Sequence, residues 1–260
     1  MDGDIGEVRL VKTGHVATVV IDHPQALNAM TQPMYRQLAA VCDAIAEDPE
    51  FRVAVLRGTG GKAFVSGSDI SQFTGLDSED ALFGSDRALD AVVAGLERLA
   101  VPTIAVLEGW VMGAGLVMAS TCDLRIATPD VRMGVPIART LGNVLSSANT
   151  VRLIAGFGVP TVKRILLLAQ TITASEGVAL GFLGKLVERE QLDNAVAEMT
   201  TRLVGHAPLT MEASKETIRR SMAVLATQDE DLVRLCYGSQ DFQEGVAAFL
   251  GKRTANWVGR

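Results

Sequence analysis

The sequence predicts an α/β fold with a largely parallel sheet, followed by a helix-rich C-terminal region. Three observations predict it. Short β-branched runs (Val16–Ile21, Val53–Leu56, Thr103–Leu107, Leu124–Ala127) alternate with stretches of helical periodicity, and from Thr140 onward helix dominates. The chain has 260 residues, 48% of them hydrophobic and 21% charged, which suits a globular protein able to bury its own core.

Taken in order, Val8–Leu10 and Val16–Ile21 flank a Lys-Thr-Gly turn and read as an opening hairpin that Asp22-His23-Pro24 closes. Thr31 is an N-cap, Pro33 an early helical proline, and Met34, Leu38, Val41 and Ile45 recur at helical spacing up to Asp48-Pro49. Val53–Leu56 is a buried strand and Ala63–Ser66 a second extended piece, which makes a β-α-β unit. Residues 74–86, acidic and broken by glycine, predict a mobile loop or irregular helix. Leu89, Val92, Val93, Leu96 and Leu99 form the next helical face, Thr103–Leu107 a buried strand, Leu116–Thr121 a helix and Leu124–Ala127 a strand. Helices are then expected over Val151–Ala155, Val159–Ala169, Ala174–Leu180, Gln191–His206, Leu209–Ala226 and Asp229–Phe249. No repeat, low-complexity segment or linker divides the chain.

Charge and composition exclude several function classes. A net charge of -6 with scattered basic residues leaves no footprint for nucleic acid. The three cysteines, Cys42, Cys122 and Cys236, are far apart and lack zinc spacing, so no metal site is expected and a reducing cytoplasm fits best. The N-terminus has no signal-peptide pattern, and no apolar run reaches membrane-spanning length.

Two stretches carry chemistry. In FVSGSDI (Phe64–Ile70) and GWVMGAG (Gly109–Gly115) a buried strand runs into a small-residue turn and then into a helical start. Backbone N–H groups at such a start have no intrahelical acceptor. Two of them brought together bind one oxygen that carries developing negative charge, each worth about 3–4 kcal/mol in a transition state. The alternative is that both are simply tight turns that need small residues.

KAFVSGSDI (Lys62–Ile70), LEGWVMGAGLVMASTCDLRIAT (Leu107–Thr128), TASEGVALGFLGKLV (Thr173–Val187) and DFQEGVAAFLGKRTANW (Asp241–Trp257), preceded by IDHPQALNAMT (Ile21–Thr31), resemble the enoyl-CoA hydratase/isomerase family, the crotonase superfamily. The resemblance implies a crotonase-like spiral of β-β-α units over residues 1–195, with a helical trimerisation region over 196–260 that builds a homotrimer or a hexamer. It implies an acyl-CoA thioester as partner, with coenzyme A entering as part of the substrate and no permanently bound cofactor. By position, the N–H groups of Ser68 and Ala114 become the oxyanion hole. Gln25, Ala26, Leu27, Ser66, Ser68, Asp69 and Ile70 fall beside the coenzyme, and Phe249 and Lys252 match residues that reach a neighbouring subunit's coenzyme A.

The family's acid positions do not hold acids. The first hydratase glutamate falls on Val117, the second on Ile137 or Ala138, and an isomerase acid slot on Ser146. A positioned acid or base supplies about 10²–10⁴-fold in rate, so efficient standard hydration is not expected. Arg139, Thr140, Asn143, Ser146 and Ser147 are expected to line the acyl pocket instead. There Arg139 can hold an acyl carboxylate or an enolate, and Asn143, Ser146 and Ser147 can orient water; each also has a purely structural reading. His23 reads as a surface contact, and Asp69, Asp123 and Asp130 as turn or capping residues. The leading reading is an acyl-CoA enzyme, by isomerisation, decarboxylation, hydrolysis or specialised hydration. The competing one is a retired member that binds acyl-CoA or assembles with partners. GAGLVM (Gly113–Met118) fails as a dinucleotide fingerprint because Met118 stands at the third glycine position.

Overall fold

A computed structural model describes residues 6–73 and 89–260. The loop or irregular helix expected over 74–86 lies outside the described residues.

The hairpin forms as expected: β1 (Glu7–Thr13) pairs antiparallel with β2 (Val16–Asp22). Helix α1 (Gln32–Glu47) starts where Thr31 accepts a hydrogen bond from the Met34 N–H, and buries Met34, Tyr35, Leu38, Val41, Cys42 and Ile45. The chain then winds in repeated turns, each laying one strand in each of two sheets. Strands β3 (Val53–Gly58), β5 (Thr103–Leu107) and β7 (Leu124–Ala127) extend the first sheet; β4 (Ala63–Val65), β6 (Trp110–Met112) and β8 (Arg132–Gly134) build the second. Helical residues 89–97 (α2), α3 (Ala114–Thr121), α4 (Ile137–Thr140) and α5 (Ser147–Leu167) follow these strands. Strand β9 (Ile172–Thr173), α6 (Ala174–Ala179) and β10 (Lys185–Leu186) complete the spiral.

The first sheet runs β1-β2-β3-β5-β7-β10 and is parallel beyond β2; the second runs β4-β6-β8-β9, with β9 antiparallel to β8. This is the expected α/β spiral. The main core lies between the sheets and the helices, with Phe64, Leu107, Leu116, Met118 and Phe182 all buried. A second core seals the outer face of the first sheet, where Val53, Val55, Ile104, Val106 and Ile126 meet Leu192 and Ala195 of α7 (Leu192–Val204). The boundary expected at 195/196 therefore falls inside α7.

Three expectations change. Helices Val151–Ala155 and Val159–Ala169 join end to end within α5, with non-helical backbone at Gly158 (φ 72°, ψ 155°). The single helix expected over Asp229–Phe249 is two, α9 (Glu230–Tyr237) and α10 (Gln240–Leu250), after α8 (Pro208–Ala223). They break at Gly238, and the Ser239 side chain caps α10 by accepting from the Phe242 N–H at 3.0 Å. His23 is buried, not a surface contact: ring Nδ1 lies 3.0 Å from the Ala29 carbonyl, and the His23 backbone N–H donates to Asn28 Oδ1. Buried Asn28 in turn donates to the Thr59 and Ala63 carbonyls, pinning this loop to the ends of β3 and β4.

Candidate active site

The two small-residue turns lie side by side. Gly67 (φ 125°) and Gly113 (φ 52°) both take backbone conformations that favour glycine, and a Cβ built on Gly113 would stand 3.5 Å from Gly67 Cα. The Gly67 carbonyl accepts from the Met30 N–H at 2.8 Å, and a trans peptide sets C=O and N–H on opposite sides. The Ser68 N–H therefore aims away from Met30. In the second turn the Gly113 carbonyl accepts from Leu116 and Val117, which turns the Ala114 N–H out of the start of α3. Among the described residues neither amide has a backbone acceptor, and both residues line one cavity.

The rest of the cavity wall is mostly apolar. Ala26 and Ala29 come from the first loop, Leu89 from α2, and Val135, Ile137, Leu141 and Leu145 from the segment around α4. The C-terminal helices close the wall with Tyr237 and Phe249. Polar groups are few. Thr140 Oγ1 donates to the Pro136 carbonyl, Asp69 accepts from the Ser71 N–H, and Asn143 Nδ2 donates to the Tyr237 hydroxyl at 3.1 Å. Among the described residues no lysine or arginine lines the cavity, and no group of three His, Cys, Asp or Glu could hold a metal ion.

Two backbone amides without a backbone acceptor thus stand in the wall of one mostly apolar cavity, an arrangement able to bind an oxygen that carries negative charge. The family model described as enoyl-CoA hydratase/isomerase matches residues 12–260. The chain belongs to that family. It is 33% identical over 256 residues to a short-chain-enoyl-CoA hydratase of Clostridium acetobutylicum, covering 96% of this chain and 97% of the relative. It is 31% identical to a crotonyl-CoA hydratase of Syntrophomonas wolfei, covering 96% and 97%. Among solved structures, methylmalonyl-CoA decarboxylase in complex with 2-nitronate-propionyl-CoA superposes with a TM-score of 0.89 at 27% identity, covering 98% of this chain and 99% of that one. The chain is thus a member of the crotonase superfamily of acyl-CoA enzymes.

Within this family site, the residues expected from sequence separate. Ala26, Ser66, Ser68, Asp69, Ile70, Ala114, Asn143 and Phe249 line the cavity. Gln25, Leu27 and Lys252 are exposed and outside that lining. Phe249 stands in the wall of its own chain's cavity.

Arg139 and Ser146 stand outside the cavity lining. Arg139 is exposed and outside the lining, because the single turn of α4 gives its inner face to Ile137 and Thr140. Ser146 caps α5: its hydroxyl accepts from the Asn149 N–H and donates to Asp90 at 3.1 Å, behind the cavity wall. Ser147 likewise lies outside the lining and shares a hydrogen bond with Thr227. The acid positions also resolve. Val117 is fully buried in the core and Ala138 is exposed, so Ile137 alone of the three faces the cavity.

Two groups were not anticipated. Tyr237 arrives from the end of α9, almost 100 residues beyond Asn143 in sequence; a tyrosine inside an amphipathic helix carries no local signal of such a role. Asp90 is held by Ser146 and by Asn149 Nδ2 at 2.6 Å. Burial pushes its carboxyl above the usual 3.8, against those hydrogen bonds and the nearby Arg152 cation. A carboxyl with a raised folded-state value favours the fold fully below its unfolded value and loses that contribution as pH rises through the folded one. Asp90→Asn is expected to flatten the fall in Tm as pH rises above 3.8, measured by thermal melts across pH.

Proposed function

We propose that this protein stabilises a thioester enolate between the Ser68 and Ala114 N–H groups and forms it without a side-chain base, by decarboxylating an acyl-CoA. The observation that carries the reading is the conjunction of paired free amides with a cavity in which Ile137 stands at an acid position and Val117 is sealed in the core. Hydration and isomerisation both need a group that takes or gives a proton at carbon. Decarboxylation does not. The bond from Cα to the carboxyl carbon breaks, its electron pair moves into the thioester, CO₂ leaves, and a proton from water later completes Cα.

The lack of a lysine or arginine in the wall, among the described residues, supports the same reaction. A cation against the carboxylate would stabilise the ground state and slow its loss, whereas the neutral Asn143–Tyr237 pair can orient it. The match to a methylmalonyl-CoA decarboxylase structure agrees with this class of chemistry, while the hydratase names of the sequence relatives do not require it. The test is direct. CO₂ release from malonyl- and methylmalonyl-CoA is compared with hydration of crotonyl-CoA, and only the first is expected to proceed well. Efficient crotonyl-CoA hydration would overturn the reading. Binding of both thioesters without turnover would favour the retired member instead, which the loss of acids at Val117 and Ile137 also suits.

Acid replacement gives a second prediction. Ile137→Glu, in the cavity, is expected to raise crotonyl-CoA hydration from its low level. Val117→Glu buries an unpaired carboxylate and is expected to cost several kcal/mol of stability with no gain. Equal hydration by the two variants would contradict the placement of these residues.

The C-terminal helices support assembly into a trimer or hexamer. Leu209, Ile218, Val224, Leu225 and Leu235 are all more than half exposed, and α8 buries none of its residues within the chain. Light scattering is expected to give a mass of at least three times 27.6 kDa, and a monomer would contradict this. No helix among the described residues is long and apolar enough to cross a membrane.

A further inference from the structure

We propose that Tyr35 is a positioning residue for the oxyanion site, acting through the Ser68 side chain. The inference rests on the reading that the Ser68 N–H is one of the two donors. Tyr35 is 2% exposed on α1, and its hydroxyl shares a hydrogen bond of 2.7 Å with Ser68 Oγ. The bond ties the donor residue to a helix in the main core.

The local backbone explains why the tie matters. On one side of Ser68 stands Gly67 (φ 125°), which has no side chain to hold the turn. On the other, the Asp69 N–H donates to the Met30 carbonyl at 2.9 Å, while the Met30 N–H holds the Gly67 carbonyl at 2.8 Å. Met30 thus grips the flanking backbone of Ser68 and Tyr35 its side chain. A donor is useful only if it is aimed before charge develops, since reorientation during the reaction cancels its contribution.

Polarity gives the same answer. Tyr35 could fill its place in the core as phenylalanine, and a tyrosine there brings a hydroxyl that must be hydrogen-bonded. In this chain it meets the residue that carries the donor.

The experiment reads enolate directly, so it does not depend on which reaction the protein catalyses. Acetoacetyl-CoA is bound to the wild type and the absorbance of its enolate is recorded at saturation, alongside the Kd of butyryl-CoA and the Tm. Tyr35→Phe keeps the ring and is expected to lower the bound enolate-to-keto ratio about tenfold, given the steep dependence of such sites on placement. Butyryl-CoA affinity is expected to stay within about twofold, since uniform binding does not use the donor's aim. Ser68→Ala should show the same drop and the double variant no further one, because both remove the Tyr35–Ser68 bond.

Wild-type enolate formation in Tyr35→Phe overturns the inference, whether or not Tm falls. So do additive effects in the double variant. If the wild type itself forms no excess enolate, the donor pair fails and the inference falls with it. That outcome is distinct from a working donor pair that is indifferent to Tyr35.

Discussion

Ala114→Pro is expected to cut turnover by about 10²–10³-fold while leaving the protein folded and able to bind an unreactive acyl-CoA. The substitution removes one atom that matters, the amide hydrogen. Ala114 is the first residue of α3, where proline is well tolerated because that N–H has no intrahelical partner. The preceding Gly113, at φ 52° and ψ -121°, is already outside the helical region that proline disfavours in its predecessor. Ala114→Gly keeps the hydrogen and serves as control, with near-wild-type turnover expected. Steady-state kinetics on the accepted thioester, with calorimetric binding of butyryl-CoA, check both. Full activity in Ala114→Pro would mean that the second donor is not used.

Gly115→Val is expected to cost about 3 kcal/mol or more and to abolish thioester binding along with stability. A Cβ on Gly115 would lie 2.1 Å from the Val65 carbonyl oxygen and 2.8 Å from Val65 Cβ. The nearest atom is backbone and cannot rotate away, so α3 would have to leave β4 and carry Ala114 off with it. Gly95→Ala makes the contrast. An added Cβ there meets nothing within 4 Å among the described residues, and alanine in the helix interior is expected to stabilise by about 0.5–1 kcal/mol. Urea denaturation of the two variants checks the pair. A Gly115→Val protein as stable as the wild type would contradict the packing of α3 on β4.

These predictions rest on parts of the structure that were unequally legible in the sequence. Helix α1 could be read to within a residue or two, because Thr31, Pro33 and the spacing of Met34, Leu38, Val41 and Ile45 are all local signals. The second sheet was half hidden. Strands β6 and β8 are three residues long, too short for alternation to show, and their pairing is fixed only once β4 lies beside β6. The break between α9 and α10 was readable in principle, since Gly238-Ser239 is a stop followed by a cap.

The site divides in the same way. The two small-residue turns at Gly67-Ser68 and Gly113-Ala114 were legible, because each is a feature of a few consecutive residues. What faces the cavity was not. Arg139 and Ser146 are neighbours of lining residues in sequence, but the single turn of α4 and the cap of α5 direct them elsewhere. Tyr237 and Tyr35 join the site through contacts of 94 and 33 residues in sequence separation, and no local pattern encodes either.

A crystal structure with a bound acyl-CoA tests most directly whether one thioester oxygen sits between the two backbone amides. That oxygen is expected within hydrogen-bond distance of both the Ser68 and Ala114 nitrogens, with the acyl chain running toward Ile137, Asn143 and Tyr237. A thioester oxygen beyond reach of both nitrogens would contradict it.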